Sequence, residues 1–144
     1  MITVREATEH DAQVLAALND AFNGVRRSTE EIRRAMHAAA QEKTLLAEES
    51  GAAVGFLCCQ ALRSVCYDEP WVEITELYVA PTHRGRGAGR ALIDAAIRHA
   101  QEAGASEVVL RTNARNSAAQ NLFARIGLEA APQLVFRTFL QGAA

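Results

Sequence analysis

Residues His83–Gly89 read His-Arg-Gly-Arg-Gly-Ala-Gly, with three glycines and two arginines in one short turn. Glycine carries no Cβ and enters positive φ freely, so such a turn lets backbone approach a ligand closely. Successive N–H groups can then cup an anion, and pyrophosphate is a common guest. Arg84, Arg86 and Arg90 place mobile positive charge on the rim of that cup.

The flanks locate the turn. Before it, Trp71–Ala80 is a β-branched and aromatic run stopped by Pro81. After it, Ala88, Ala91, Leu92, Ala95, Ala96, His99 and Ala103 recur at helical spacing, and Gly104 ends the helix as a C′ residue. The turn therefore joins a strand to a helix start, where N–H groups lack partners and the dipole is positive. It lacks the Gly-Lys-Ser/Thr ending of an NTPase phosphate loop. Nor does it open a first βαβ unit, as a dinucleotide-binding turn would.

The rest of the chain supplies the frame. Ile2–Glu6 alternates apolar and polar, as a strand does. Thr8 with Asp11, and Ser28 with Glu31, are capping signals for helices over about 9–22 and up to about 41. Two apolar runs around Ser50-Gly51 predict an antiparallel hairpin. Residues 107–112 form a further strand, Asn116 and Gly127 bracket a short helix, and 133–140 reads as a closing strand. The order β-α-α-β-β-β-α-β-α-β predicts an α/β (mixed α+β) fold with a mixed sheet, in one domain over 1–144.

Composition excludes several classes. The net charge is −2 and no aromatic residues interleave with the arginines, which argues against a nucleic-acid partner. No apolar run has membrane-spanning length and the first residues lack a signal-peptide pattern, so no membrane partner and a cytoplasmic location are expected. Cys58, Cys59 and Cys66 form no CxxC pair, and the adjacent two read as small core residues. His83 reads as a loop residue and His99 as a packed one. With no clustered ligand set, no metal is expected.

Arg84-Gly85-Arg86-Gly87-Ala88-Gly89 resembles the central motif of the GNAT N-acetyltransferase superfamily: Arg or Gln, two residues, Gly, one residue, then Gly or Ala. The preceding "LYVAP" is similar as well. So is "NARNSAAQNLFARIGL", which resembles the family's Asn-x-x-Ala segment. The resemblance implies a mixed central sheet of about six to seven strands flanked by four helices. It also implies acetyl-CoA as co-substrate. In that family the glycine loop holds the pyrophosphate, which assigns Arg84, Gly85, Arg86, Gly87, Ala88, Gly89 and Arg90 to the cofactor. In that family the preceding strand carries a bulge and splays from the next strand, and pantetheine lies in that gap against its backbone, here Leu77, Tyr78 and Val79. Asn116 matches an asparagine that commonly bonds the cofactor, and a helix N-cap is an equal role for it.

Acetyl transfer to an amine needs proton removal, carbonyl polarisation and thiolate departure. Glu76 stands where the family's catalytic carboxylate often lies. Glu73 is its backup, on the opposite face of the strand unless a bulge intervenes. Phe123 stands where many members carry a proton-donating Tyr. It would only pack along pantetheine, leaving Tyr78, Tyr67 or solvent to protonate the thiolate. Glu30, Glu31, Asp68, Glu69 and Glu73 could gather charge for a cationic acceptor, whereas Arg26 and Arg27 would favour an anionic one. The implied activity is acetylation of a primary amine on a small molecule such as an aminoglycoside, polyamine or amino acid. A protein N-terminus or lysine as acceptor, and a catalytically weak acyl-CoA-binding module, are the alternatives. A homodimer is compatible with this reading.

Overall fold

The computed structural model describes residues 1–39 and 41–142. Two compact units divide the chain, Met1–Arg111 and Thr112–Ala144. The first holds a sheet of β1 (Ile2–Glu6), β2 (Glu42–Glu49), β3 (Ala52–Leu62), β4 (Trp71–Val79) and β5 (Val108–Leu110) in chain order. Its helices are α1 (Ala12–Asn23), α2 (Thr29–Ala38) and α3 (Ala88–Glu102). The second unit carries α4 (Ser117–Ile126).

Local signals explain the boundaries. Thr8 and Ser28 each close a capping box, with Asp11 and Glu31 accepting from the cap backbone at 2.8 and 3.1 Å. The β2–β3 hairpin turns through Ser50 and Gly51, both at positive φ (53° and 80°). Gly24 and Gly127 end α1 and α4 in the left-handed conformation. The second helix stops at Ala38, short of the expected Gln41, because β2 already begins at Glu42.

Four strands pair antiparallel, and β4 pairs with β5 in parallel. A parallel pair needs a crossover, and α3 is that crossover. On one sheet face Leu46, Phe56, Cys58 and Tyr78 pack with Leu15 and Leu18 of α1, with Ile32 and Met36 of α2 against them. On the other, strand residues such as Leu57, Cys59 and Val72 are fully buried, as are Leu92, Ile93 and Ala96 of α3. The apolar stripes of the three helices thus account for both layers.

Among the described residues the sheet has five strands, fewer than the six to seven expected. The missing element is the closing strand over 133–140, which forms no ladder. Its apolar residues are exposed, Phe136 at 90%. Alternation in sequence marks a segment able to be a strand, but only hydrogen bonds to a neighbour make it one.

Gly55 shows how tightly β3 meets the end of β4. A Cβ there would lie 2.5 Å from the Tyr78 carbonyl oxygen and 3.2 Å from the Val79 Cα. Backbone, unlike a flexible side chain, cannot move aside. Gly55→Ala should therefore destabilise the protein by about 2 kcal/mol, lowering the melting temperature by roughly 5–10 °C. Thermal unfolding followed by circular dichroism checks this, and an unchanged midpoint contradicts the close approach.

Candidate active site

Strand β4 carries an irregularity at its middle. Cys58 of β3 faces Glu76 and the next residue, Cys59, faces Ile74, so Thr75 is an extra residue on β4. A bulge reverses the alternation beyond it. Glu73 pairs with Gln60 and Glu76 with Cys58, so the two carboxylates share one face. Regular alternation would have separated them.

Pairing of β4 to β5 covers only Val72, Glu73 and Ile74. From Thr75 to Val79 the strand keeps β3 on one side and, among the described residues, has no strand ladder on the other. Main-chain groups of Leu77–Val79 on that edge are available to an extended ligand, as in strand addition. Tyr78 itself is a core residue. Its ring lies 5.2 Å from that of Phe22 and 6.3 Å from that of Phe56, and it is 7% exposed.

The glycine turn follows at once. Pro81–His83 form a short 3₁₀ turn, and Gly85 and Gly87 adopt φ of 79° and 93°. Gly87 is the N-cap of α3, and no side chain caps that helix. The first N–H of the helix to return to a carbonyl is that of Ala91, bonded to Gly87 at 2.9 Å. The N–H groups of the preceding turn are left for an anion. A Cβ built on Gly85 or Gly87 meets nothing within 4 Å, so the space beside the turn is open. These features fit a pyrophosphate.

The arginines divide their tasks. Arg84 donates from Nε to the Val79 carbonyl at 2.8 Å and lies 5.8 Å over the Tyr78 ring. It ties the turn to the end of β4 while its terminal nitrogens remain for a ligand. Arg86 reaches Glu49 of β2 at 3.3 Å, and His83 lies 3.9 Å from the same carboxylate. Arg90 is exposed, 3.9 Å from Asp94. Glu49 has no sequence signal, since it stands 37 residues from Arg86.

The carboxylates near β4 are not equivalent. Glu73 is ion-paired with Arg111. Glu76 has no cationic partner among the described residues, and burial, followed by the charge of Glu42, raises its pKa above the ordinary 4.5. Facing it, Cys58 is 3.7 Å from the Thr44 hydroxyl, and burial pushes its thiol up to about 12. Neither Glu42 nor Gln60 stood out in the sequence. The sheet register alone puts them on this face.

Other acidic candidates lie apart. Glu30 pairs with Arg33, and Glu31 is spent on its capping box. Asp68 and Glu69 line a cleft of about 590 Å³ with Tyr67, Trp71, Ser106 and Glu107, at the start of β4. In the second unit, Asn116 caps α4 by accepting from the Ala119 N–H at 3.0 Å, so its N-cap role holds. Phe123 lies half-buried on α4. No group of metal ligands occurs among the described residues.

The turn should be sensitive to loss of Gly87. A β-branched residue at φ of 93° is strained, and its side chain would enter the open space where an anion fits. Gly87→Val should weaken CoA binding about tenfold or more, equivalent to at least ~1.4 kcal/mol. Isothermal calorimetry is the check, and wild-type affinity in the variant would remove the turn from the site.

Comparison with known proteins places this geometry. The Acetyltransferase (GNAT) family matches residues 12–128. An uncharacterized N-acetyltransferase of Methanocaldococcus jannaschii is 37% identical over 83 residues, 57% of this chain and 37% of that protein. Mouse N-acetyltransferase 8F1 is 29% identical over 94 residues, 65% of this chain and 42% of that protein. The chain thus spans less than half the length of these two relatives. An uncharacterized N-acetyltransferase of Bacillus subtilis is 27% identical over 135 residues, 89% of this chain and 90% of that one. The fold is shared with a ribosomal-protein-alanine N-acetyltransferase from Brucella melitensis biovar Abortus 2308, at TM-score 0.82 and 22% identity over 96% of this chain and 100% of that one. It is also shared with the aminoglycoside acetyltransferase AAC(6')-Iy bound to a CoA-containing bisubstrate analogue, at TM-score 0.85 and 19% identity over 97% and 99%. Matched by one family over most of its length, the chain belongs to the GNAT acetyltransferases.

Proposed function

We propose that this protein is an N-acetyltransferase that moves the acetyl group of acetyl-CoA to a primary amine of a cationic small molecule, both substrates being bound together. One observation carries the reading. The free edge of β4, with Glu76 beside it, runs directly into an uncapped helix start whose glycines leave N–H groups and space for an anion. Acetyl-CoA, when bound, supplies an acetyl group activated as a thioester. The turn over 84–90 holds the pyrophosphate, and the backbone of Leu77–Val79 holds the pantetheine arm. Residues 1–144 serve as one acetyltransferase domain.

Glu76 takes the proton of the acceptor ammonium, directly or through an ordered water. A lone carboxylate is a weak base for an amine of pKa about 10.4, and its raised pKa narrows that mismatch. Cys58 faces Glu76 and is the nucleophile nearest to suspicion. Its thiol, pushed up to about 12, stays protonated and unreactive at neutral pH. Direct attack by the amine is therefore favoured over an acyl-enzyme. Phe123 offers no proton, Tyr78 is packed among phenylalanines, and Tyr67 lines the cleft at the far end of β4. Solvent protonates the departing thiolate, whose pKa of about 8.5 makes it a tolerable leaving group.

The acceptor is read from charge. Glu76 and Glu42 share a sheet face without cationic partners among the described residues, which suits an ammonium group better than an anion. The structural kinship with an aminoglycoside acetyltransferase supports the same class.

Glu76→Gln keeps shape and removes charge. Turnover near pH 7 should fall by roughly 10²- to 10³-fold, and the loss should shrink as pH rises and more acceptor becomes free base. In the wild type, kcat/KM should decline with falling pH through a midpoint above 4.5, since Glu76 must be ionised to accept the proton. A Glu76→Gln enzyme with wild-type turnover and an unshifted profile excludes Glu76 as the base.

A further inference from the structure

Two rows of the sheet lie side by side on the Glu76 face. In one, Glu42 of β2 faces Gln60 of β3, which faces Glu73 of β4. In the next, Thr44 faces Cys58, which faces Glu76. The extra residue at Thr75 brings the β4 members of both rows onto this face.

The charges in this patch do not cancel evenly. Arg111 balances Glu73. Glu42 accepts a long hydrogen bond from the Gln60 amide, 3.4 Å, which carries no net charge. Its chain neighbour Lys43 faces Cys59 on the other side of the sheet and lies 3.3 Å from Glu6. The remaining ionisable groups around Glu76 are the thiol of Cys58 and the phenol of Tyr78, both buried. The helix residues packed on this cluster, Leu15, Leu18, Ile32 and Met36, are apolar. Glu42, on β2 with β3 between it and β4, is thus the one unbalanced charge acting on Glu76 from another strand among the described residues of the first unit.

We propose that Glu42 is a positioning residue for acetyl transfer: a second carboxylate, on the sheet face of Glu76 and uncompensated by a cation, that makes Glu76 a stronger base. The inference rests on Glu76 being the base. In the step, the acceptor ammonium gives one proton to the Glu76 carboxylate. The freed amine then forms its C–N bond to the acetyl carbonyl, the C–S bond breaks, and the acylated nitrogen releases its second proton to solvent. The proton passes from Glu76 through solvent to the CoA thiolate, and Glu76 is ionised again. Glu42 touches none of the reacting atoms. It acts through the field that favours the protonated form of Glu76. The direction of the Glu76 shift agrees, with burial its larger cause and Glu42 its second. Cys58, which lies between the two strands, is raised by burial and also by both carboxylates.

The test reads Glu76 directly. The side-chain carboxyl of Glu76, labelled with ¹³C and assigned by its loss in Glu76→Gln, is titrated by NMR in the full chain. Glu42→Gln should move its midpoint to lower pH, and Glu42→Asp, which keeps the charge, should restore much of it. Gln60→Glu, which adds a charge to the same row, should move the midpoint upward. The acid limb of kcat/KM should follow each change, and turnover at pH 7 in Glu42→Gln should fall roughly threefold to tenfold, a weaker base being a slower one. A Glu76 midpoint indifferent to all three substitutions overturns the proposal. A midpoint that moves while the acid limb stays fixed instead overturns Glu76 as the base, and with it any part for Glu42 in transfer.

Discussion

One extra residue in β4 governs the site. Were β4 regular through Thr75, Glu76 would face Leu57 and point to the α3 side of the sheet, into the layer of Leu57, Cys59 and Ile74. A carboxylate there would be buried without a partner, at a cost of several kcal/mol. With the bulge, Glu76 joins Glu73, Gln60 and Cys58 on the other face, at the margin of the α1–α2 core. Its partial burial and its acidic neighbours follow from that single displacement. So does the strand's geometry, because a bulge increases twist and helps to end pairing to the next strand. The β4–β5 ladder stops at Ile74, immediately before the bulge.

The glycine turn depends on the same strand. Arg84 bonds back to the Val79 carbonyl, so the end of β4 and the start of α3 are held at a short, defined separation. Gly55 lets β3 lie against this point, where any Cβ would strike backbone. Glu49 draws Arg86 and His83 toward β2 and offsets part of the positive charge of the turn. The turn is thus shaped by neighbouring backbone and side chains, and the N–H groups proposed to hold the pyrophosphate are already in place.

Much of this was legible in the residues. The capping boxes at Thr8 and Ser28, the Ser50-Gly51 hairpin and the Gly127 helix stop are local features, written in a few adjacent residues whose chemistry admits one conformation. The glycine-arginine turn was legible for the same reason. What escaped was non-local. A bulge in this strand is implied by the family resemblance alone; its place at Thr75 depends on how β4 meets β3, and nothing in "VEITELYV" distinguishes it from a regular strand. Glu42, Gln60 and Arg111 enter the site through strand register, which no single segment encodes. The closing segment over 133–140 shows the opposite error: strong strand propensity, but no ladder and an exposed Phe136. Propensity is a local preference that only pairing converts into structure.

In the proposed reaction the amine attacks acetyl-CoA directly, with no covalent acetyl-protein on the way. The most direct measurement mixes the full chain with acetyl-CoA and a panel of cationic, neutral and anionic primary amines, following free CoA thiol together with the masses of products and protein. Direct attack should give thiol release that requires an amine, is fastest with cationic acceptors, matches acetylated product one for one, and leaves the protein mass unchanged. Thiol release without an amine, accompanied by acetyl on Cys58, would contradict it.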